Sequence, residues 1–291
     1  MLLASIAPAI PAAAAAASQS ITLSPTSRTL TIQPGDQATG QLKVLDQGTN
    51  ALNLKLYTTP YHVSGEEYDQ SFTPLPGAPN VASWFKLSQS QATLAASSEL
   101  DVNYTINVPA GTPAGGYYAV AFAEASGQSN GSKTGVIVSQ RVGTIFYLTV
   151  GGNLEAKGSI LTWKSSFLQK PPLTASLRVA NPGNIHFPVN FTTTVKDVFG
   201  RTKYSVTTQK EILPQTIRNI EVNWPQSPAI GLVKVGGSVE YLGQTRYLPS
   251  RWVLVMSSTA RLVVAAIIAL LILWTIFPII KKRKTNKHYK K

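Results

Sequence analysis

DVNYTINVPAGTPAGGYYAVAFAE, residues 101–124, is the stretch that decides the fold. In its first part Leu100, Val102, Tyr104, Ile106 and Val108 alternate with Asp101, Asn103, Thr105 and Asn107. A period of two puts the two sets on opposite faces of a β-strand, one for a core and one for water. PAGTPAGG supplies a corner, because proline fixes φ and glycine accepts backbone shapes that other residues avoid. YYAVAFAE then resumes as a strand, with Tyr118, Val120 and Phe122 facing one way.

Working outward, residues 29–59 give three more short strands, with turns at Pro34-Gly35 and at residues 47–50. GVIVSQRVGTIFYLTVGG, residues 135–152, is the last strand region of a first domain, and Gly151-Gly152 is a natural joint. Seven further strand candidates follow, from LEAKGSILTW (154–163) to TRYLPSRWVLV (245–255). Short strands spaced by Pro, Gly and Asn are the signature of an all-β sandwich. Between the second and third of these seven stands NPGNIHF (181–187), where Asn181, Pro182, Gly183 and Asn184 suit a type II hairpin turn. DVFGR (197–201) is the next reversal, with Gly200 available for a positive φ.

The ends read differently. Residues 262–280, LVVAAIIALLILWTIFPII, are uncharged, and 19 residues at about 1.5 Å each reach across roughly 30 Å of hydrocarbon. KKRKTNKHYKK follows, with seven Lys/Arg and no acid, beginning Lys281, Lys282, Arg283 and Lys284; only Arg261 sits immediately before the span. The positive-inside rule then predicts a cytoplasmic C-terminus and an outward-facing remainder, with Trp252 and Trp274 near the two membrane interfaces. The first 17 residues have the apolar core and small-residue cleavage region of a secretory signal, though no Lys or Arg precedes the apolar stretch. The expected organisation is a signal peptide (1–17), a first Ig-like β-sandwich (18–150), a second (151–256), a transmembrane helix with its lead-in (257–280) and a basic tail (281–291).

Composition limits the chemistry. Cysteine is absent, which excludes thiol chemistry and disulfides and leaves each domain dependent on its core. Only 13% of the residues are charged, yet the net charge is +13. Residues 18–150 hold 6 basic and 8 acidic residues, whereas residues 151–261 hold 13 basic and 5 acidic ones. The basic second domain suits anionic lipid or a polyanionic wall polymer. His62, His186 and His288 are far apart and lie in no HExxH frame; no phosphate loop or GxSxG elbow occurs. Neither a metal nor a cofactor is expected. A tail of eleven residues at a membrane does not make a nucleic-acid reader. The acidic cluster is SGEEYDQ, where Glu66, Glu67 and Asp69 read as a solvated hairpin tip. Its neighbours Tyr61, Tyr68 and Trp84 are the candidate ligand-binding aromatics, able to stack on a sugar or grip a partner.

The order of these pieces resembles the WxL-interacting protein family of bacterial cell surfaces. The resemblance is carried in the first domain by IQPGDQATGQLKVLDQGTNALNLKLYTTPY (32–61), HVSGEEYDQ (62–70), WFKLSQSQATLAASSELDVNYTINVPAGTPAGGYYAVAFAE (84–124) and RVGTIFYLTVGG (141–152). In the second it is carried by LRVANPGNIHFPVNFTTTVKDVFGR (177–201) and by the terminal span with its basic tail. It implies a non-catalytic envelope scaffold, with peptidoglycan as partner of the first domain and a WxL surface protein or host matrix component as partner of the second. The leading expectation is therefore a membrane-anchored adhesion or wall-binding protein. One alternative is a surface assembly chaperone of the pilus type, which predicts an exposed sheet edge that takes up a partner's strand. Another is a carbohydrate-processing accessory protein, which predicts a carboxylate pair in a cleft.

Overall fold

The computed structural model describes residues 20–127 and 139–288. The signal-peptide expectation at residues 1–17 lies outside them. The chain divides into two compact units, Met1–Val63 with Gln70–Asn153, and Ser64–Asp69 with Leu154–Lys291.

In the first unit the strands are β1 (Ile21–Ser24), β2 (Ser27–Ile32), β3 (Gln37–Asp46), β4 (Leu52–Pro60), β5 (His62–Ser64), β6 (Asp69–Ser71), β7 (Phe85–Leu87), β8 (Gln91–Leu94), β9 (Glu99–Asn107), β10 (Gly115–Gly127) and β11 (Ser139–Val150). One sheet runs β1-β3-β9-β7 and the other β2-β11-β10-β4-β8. On β9 the alternation does what its period requires: Val102, Tyr104 and Ile106 are buried while Asp101 and Asn103 are exposed. Each such side chain contributes about 1.5–3 kcal/mol by leaving water. They meet Phe146, Leu148 and Val150 of β11 in one core.

Strand β10 turns a different face inward from the aromatic one. Ala119, Ala121, Ala123 and Ala125 belong to the core, so the small residues let the sheets approach closely. Phe122 lies on the other face, in edge contact with Phe72 at 5.1 Å and beside Tyr57 at 5.6 Å. Both faces of this strand are therefore covered.

The second unit adds β12 (Ser159–Lys164), β13 (Leu168–Gln169), β14 (Leu173–Asn181), β15 (Phe187–Lys196), β16 (Thr202–Ile212), β17 (Thr216–Trp224), β18 (Ile230–Tyr241), β19 (Gln244–Met256) and the helix α1 (Ser258–His288). Its sheets are β12-β14-β17 and β13-β19-β18-β15-β16, packed around Phe191, Leu177, Ile220 and Val235.

The NPGNIHF turn departs from the sequence expectation. It joins β14 to β15, which belong to different sheets, so it is a crossover and not a hairpin. Gly183 does not adopt the positive φ of a type II turn, whereas Gly35 of the other Pro-Gly pair does, with Asp36 N–H donating to the Gln33 carbonyl. Asn181 explains the difference. It is buried, its Oδ1 accepts the Gly183 N–H at 2.9 Å, and its Nδ2 donates to the carbonyls of Ile185 and Ile212. Asn184 completes the crossover by exchanging hydrogen bonds with the backbone of Glu155, through its own N–H and its Oδ1. Gly183 is needed because a Cβ there would run into the Glu155 carbonyl. At the second reversal Gly200 takes φ +81° as expected, and Asp197 Oδ1 accepts the N–H groups of Phe199 and Arg201.

Residues Ser258–Ile276 of α1 have a mean hydropathy of 2.3 and none of that stretch is buried, so the helix is long and apolar enough to span a membrane. Arg261 lies in its first turn and Trp274 is exposed on its surface. Trp252 is on β19, not on the helix, and sits 5.8 Å from the Lys234 ammonium. Lys281, Lys282, Arg283 and Lys284 continue the helix; their side chains lie outside the described ones.

Candidate functional site: the half-open edge of β11

The sheet edges of the described residues differ in how they are closed. At one side of the first unit's larger sheet, β2 runs parallel to β11 but pairs only with residues 145–150. The N-terminal half of β11, residues 139–144, is paired with β10 on one side and, among the described residues, with no strand on the other, where β1 packs close by without forming ladder pairs. Pro25 is the local cause. It has no N–H to give to a ladder, and the chain crosses there from β1, paired with β3, to β2, paired with β11.

The direction of the free backbone groups follows from the register. Ile145 N–H donates to the Thr26 carbonyl at 3.1 Å, and Gly151 N–H donates to that of Ile32 at 3.0 Å. Alternate residues point alike along a strand, so the N–H groups of Gly143 and Arg141 face the same side, beyond the end of β2. Among the described residues no backbone acceptor meets them. Thr144 is buried and its hydroxyl donates to the Pro25 carbonyl; Ile21 N–H donates to Gln140 Oε1 at 3.3 Å. These contacts hold the two chains where the pairing ends. Arg141 lays its guanidinium over Phe122 at 4.5 Å and over Phe72 at 5.5 Å, which turns its charge away from the strand's own edge.

Several other edges are protected. Strands β7 and β8 have three and four residues. Strand β12 carries a bulge between Ile160 and Thr162. The long edge strand β16 carries Lys203 and Lys210. Short length, bulges and lysines are the usual ways of refusing a further strand. Strand β17 is met by Ser64–Asp69, with Asn219 N–H donating to the Glu66 carbonyl at 2.8 Å.

SGEEYDQ is the turn between the paired strands β5 and β6, with Ser64, Gly65, Glu67 and Asp69 exposed, and its carboxylates are nevertheless engaged. Glu66 forms a two-pronged ion pair with Arg178 of β14, whose Nε reaches Oε2 at 2.6 Å, and the hydrogen bond to that guanidinium holds the Glu66 carboxyl below its ordinary pKa. Glu67 accepts from Asn219 Nδ2 at 2.8 Å. Both carboxylates are engaged by other residues of the same unit, so the pair expected of a glycosidase is not assembled. Among the described residues no group of three or more His, Asp or Glu is placed to hold a metal.

The candidate aromatics are packing residues. Tyr61, Tyr68 and Trp84 are 4, 5 and 6% exposed, which leaves no ring face for a sugar. Nor are they together: Trp84 packs on Tyr117 at 5.0 Å in the first core, and Tyr61 packs on Phe72 at 6.1 Å. Tyr68, at φ +61°, belongs to the second unit's segment. Its hydroxyl accepts the Leu213 N–H at 2.9 Å and contacts Thr216 Oγ1, and the Arg218 guanidinium sits 4.1 Å from its ring. Sequence reasoning missed Arg178, Arg218 and Asn219, whose roles arise from pairing over more than a hundred residues. It also missed the β11 edge, although Pro25 was a visible signal for where β2's pairing stops.

No family model matches the chain, and no curated protein matches it. Solved structures do. The YadV chaperone is 14% identical, with 78% of this chain and 99% of that one covered, at a TM-score of 0.44. The class 5 fimbriae chaperone CfaA is 12% identical over 81% and 99%, at 0.41. The E. coli chaperone DraB is 14% identical over 81% and 97%, at 0.38. The expectation of a wall-binding or adhesion scaffold is corrected here, because the solved structures named above are chaperones; a PapD-like domain of human CEP192 is also among the matches, 17% identical over 51% of this chain and 98% of that one.

Proposed function

We propose that this chain is a membrane-anchored surface assembly chaperone that takes up a strand of a partner surface protein along residues 139–144 of β11. The observation that carries the reading is the pairing itself: β10 covers residues 139–150 on one side, and β2 covers only residues 145–150 on the other. Adding a strand would satisfy the Arg141 and Gly143 amides and continue the sheet, a mode in which main-chain bonds supply the affinity. The two units act as tandem Ig-like sandwiches. The helix α1 crosses the membrane once, with the basic tail in the cytoplasm and the sandwiches outside, as the charge asymmetry around the span supports. Membership of the WxL-interacting protein family belongs to the same proposal, on the order of its sequence pieces; wall binding does not.

Two substitutions at one position test it. Arg141→Pro removes an outward N–H without touching the β10 ladder, while Arg141→Ala removes the same side chain and keeps the N–H. Surface proteins captured by the wild type should be captured by Arg141→Ala and lost with Arg141→Pro. Equal capture by all three would contradict strand addition at this edge.

A further inference from the structure

The second unit carries an apolar surface that neither its core nor the β11 edge uses. On the outward face of β18 and β19 the register aligns Ile230 with Met256, Leu232 with Leu254, and Lys234 with Trp252; β13 extends the middle row with Leu168 beside Leu254. The alternate residues Val233, Val253 and Val255 point into the core. Ile230, Leu168, Trp252 and Leu232 are 55, 48, 45 and 43% exposed, and Phe167 next to Leu168 is also exposed. A run of large side chains on a solvent face is the kind of patch that marks an interaction surface. Lys234 stands over the Trp252 ring, and Lys196 is its neighbour in the same row on β15.

Its position names the occupant. Met256 ends β19 and α1 begins at Ser258, so the Ile230–Met256 row lies about two residues, or roughly 7 Å, from the helix start. The joint is fixed: Ser257 N–H donates to the Ala229 carbonyl at 2.7 Å, Ser257 Oγ accepts the Ala260 N–H, and Arg261 Nε donates to the Met256 carbonyl. A helix inserted in a bilayer therefore holds the Ile230–Met256 row at the headgroup layer, roughly 5–8 Å deep on each side, and the Leu232–Leu254 and Lys234–Trp252 rows, about 14 and 20 Å along the strands, meet that layer when the sheet lies along the surface. Apolar and indole side chains flanked by lysines suit an interface of anionic lipid, where the rings and alkyl groups sit among the acyl boundary and the ammonium groups meet phosphates. The excess of basic over acidic residues in this unit, 13 against 5 over residues 151–261, has the sign such a surface needs.

We infer that the outward β13-β19-β18 face, centred on Leu232, lies against an anionic membrane surface and fixes the unit's posture on the bilayer. The inference rests on the membrane-anchored reading of α1. The chain has no cysteine, so single nitroxide labels can be placed in the full-length protein in vesicles, with and without phosphatidylglycerol in phosphatidylcholine. Ile268→Cys reports on the helix, Leu232→Cys on the face and the exposed Leu75→Cys on a part of the first unit. With phosphatidylglycerol present, the label at 232 should lose access to a water-borne nickel chelate while remaining open to oxygen. That loss should shrink when Lys196→Gln and Lys234→Gln are combined. A label at 232 as open to nickel as the one at 75, or shielded from nickel and oxygen alike as in a protein contact, would overturn the inference while the label at 268 still reports lipid. A label at 268 open to nickel would overturn the anchor itself, and the inference with it.

Discussion

His186 is 8% exposed beside the β14–β15 crossover, and burial pushes its imidazole down to about 4 from an ordinary value near 6.5. The unfolded chain therefore binds a proton in a range where the folded chain does not. Stability follows the sign of that difference: it is full above pH 6.5 and falls as the pH drops toward 4, by at most about 3 kcal/mol if the whole shift is realised. Urea titrations at pH 7, 5.5 and 4.5 should show this decline, and His186→Gln should flatten the part of it that belongs to this group. Tyr68 gives a second expectation at the same scale. Its hydroxyl is the acceptor for the Leu213 N–H, so Tyr68→Phe leaves a buried donor without its partner and should cost about 1–3 kcal/mol in the same titrations. A loss confined to Tyr68→Ala, with Tyr68→Phe neutral, would assign the residue's contribution to the ring and its Arg218 contact instead.

Among the elements, the β14–β15 crossover shows what a sequence pattern conveys and what it omits. Pro-Gly correctly announced that the chain turns, and at residues 33–36 the turn takes the type II form that the pair favours. At residues 181–184 the type is decided by Asn181, whose side chain replaces the backbone bond of a type II turn and ties in Ile212 from another strand. No local pattern contains that distant carbonyl. Gly183→Ala should therefore destabilise by close approach to Glu155, by about 2 kcal/mol or more, although its φ is one that alanine tolerates. Gly200→Ala, at a positive φ with open space around it, should cost nearer 1 kcal/mol. Denaturant midpoints of the two variants, compared at constant slope, check the order. The strands themselves were legible because β9 is wet on one face, so alternation survives in its residues. On β10 both faces are covered, and the aromatic face seen in YYAVAFAE is the one away from the core, where alanines make the contact.

For the whole molecule, the sandwich architecture and the terminal apolar helix were written in composition and period, whereas the candidate site was not. An edge is defined by where a neighbouring strand stops, and that depends on Pro25 meeting Thr144 across 119 residues. The aromatic cluster drew attention because Tyr61, Tyr68 and Trp84 are large and close in sequence, but large rings are also what cores need. The central claim is that the open half of β11 accepts a strand. Amide hydrogen exchange measured residue by residue on the intact protein tests it most directly. In the free protein Arg141 and Gly143 should exchange fast while Ile145, bonded to Thr26, is protected. On binding a captured surface protein, Arg141 and Gly143 should become as protected as Ile145. Protection that leaves those two amides unchanged while other segments slow would contradict strand addition on β11.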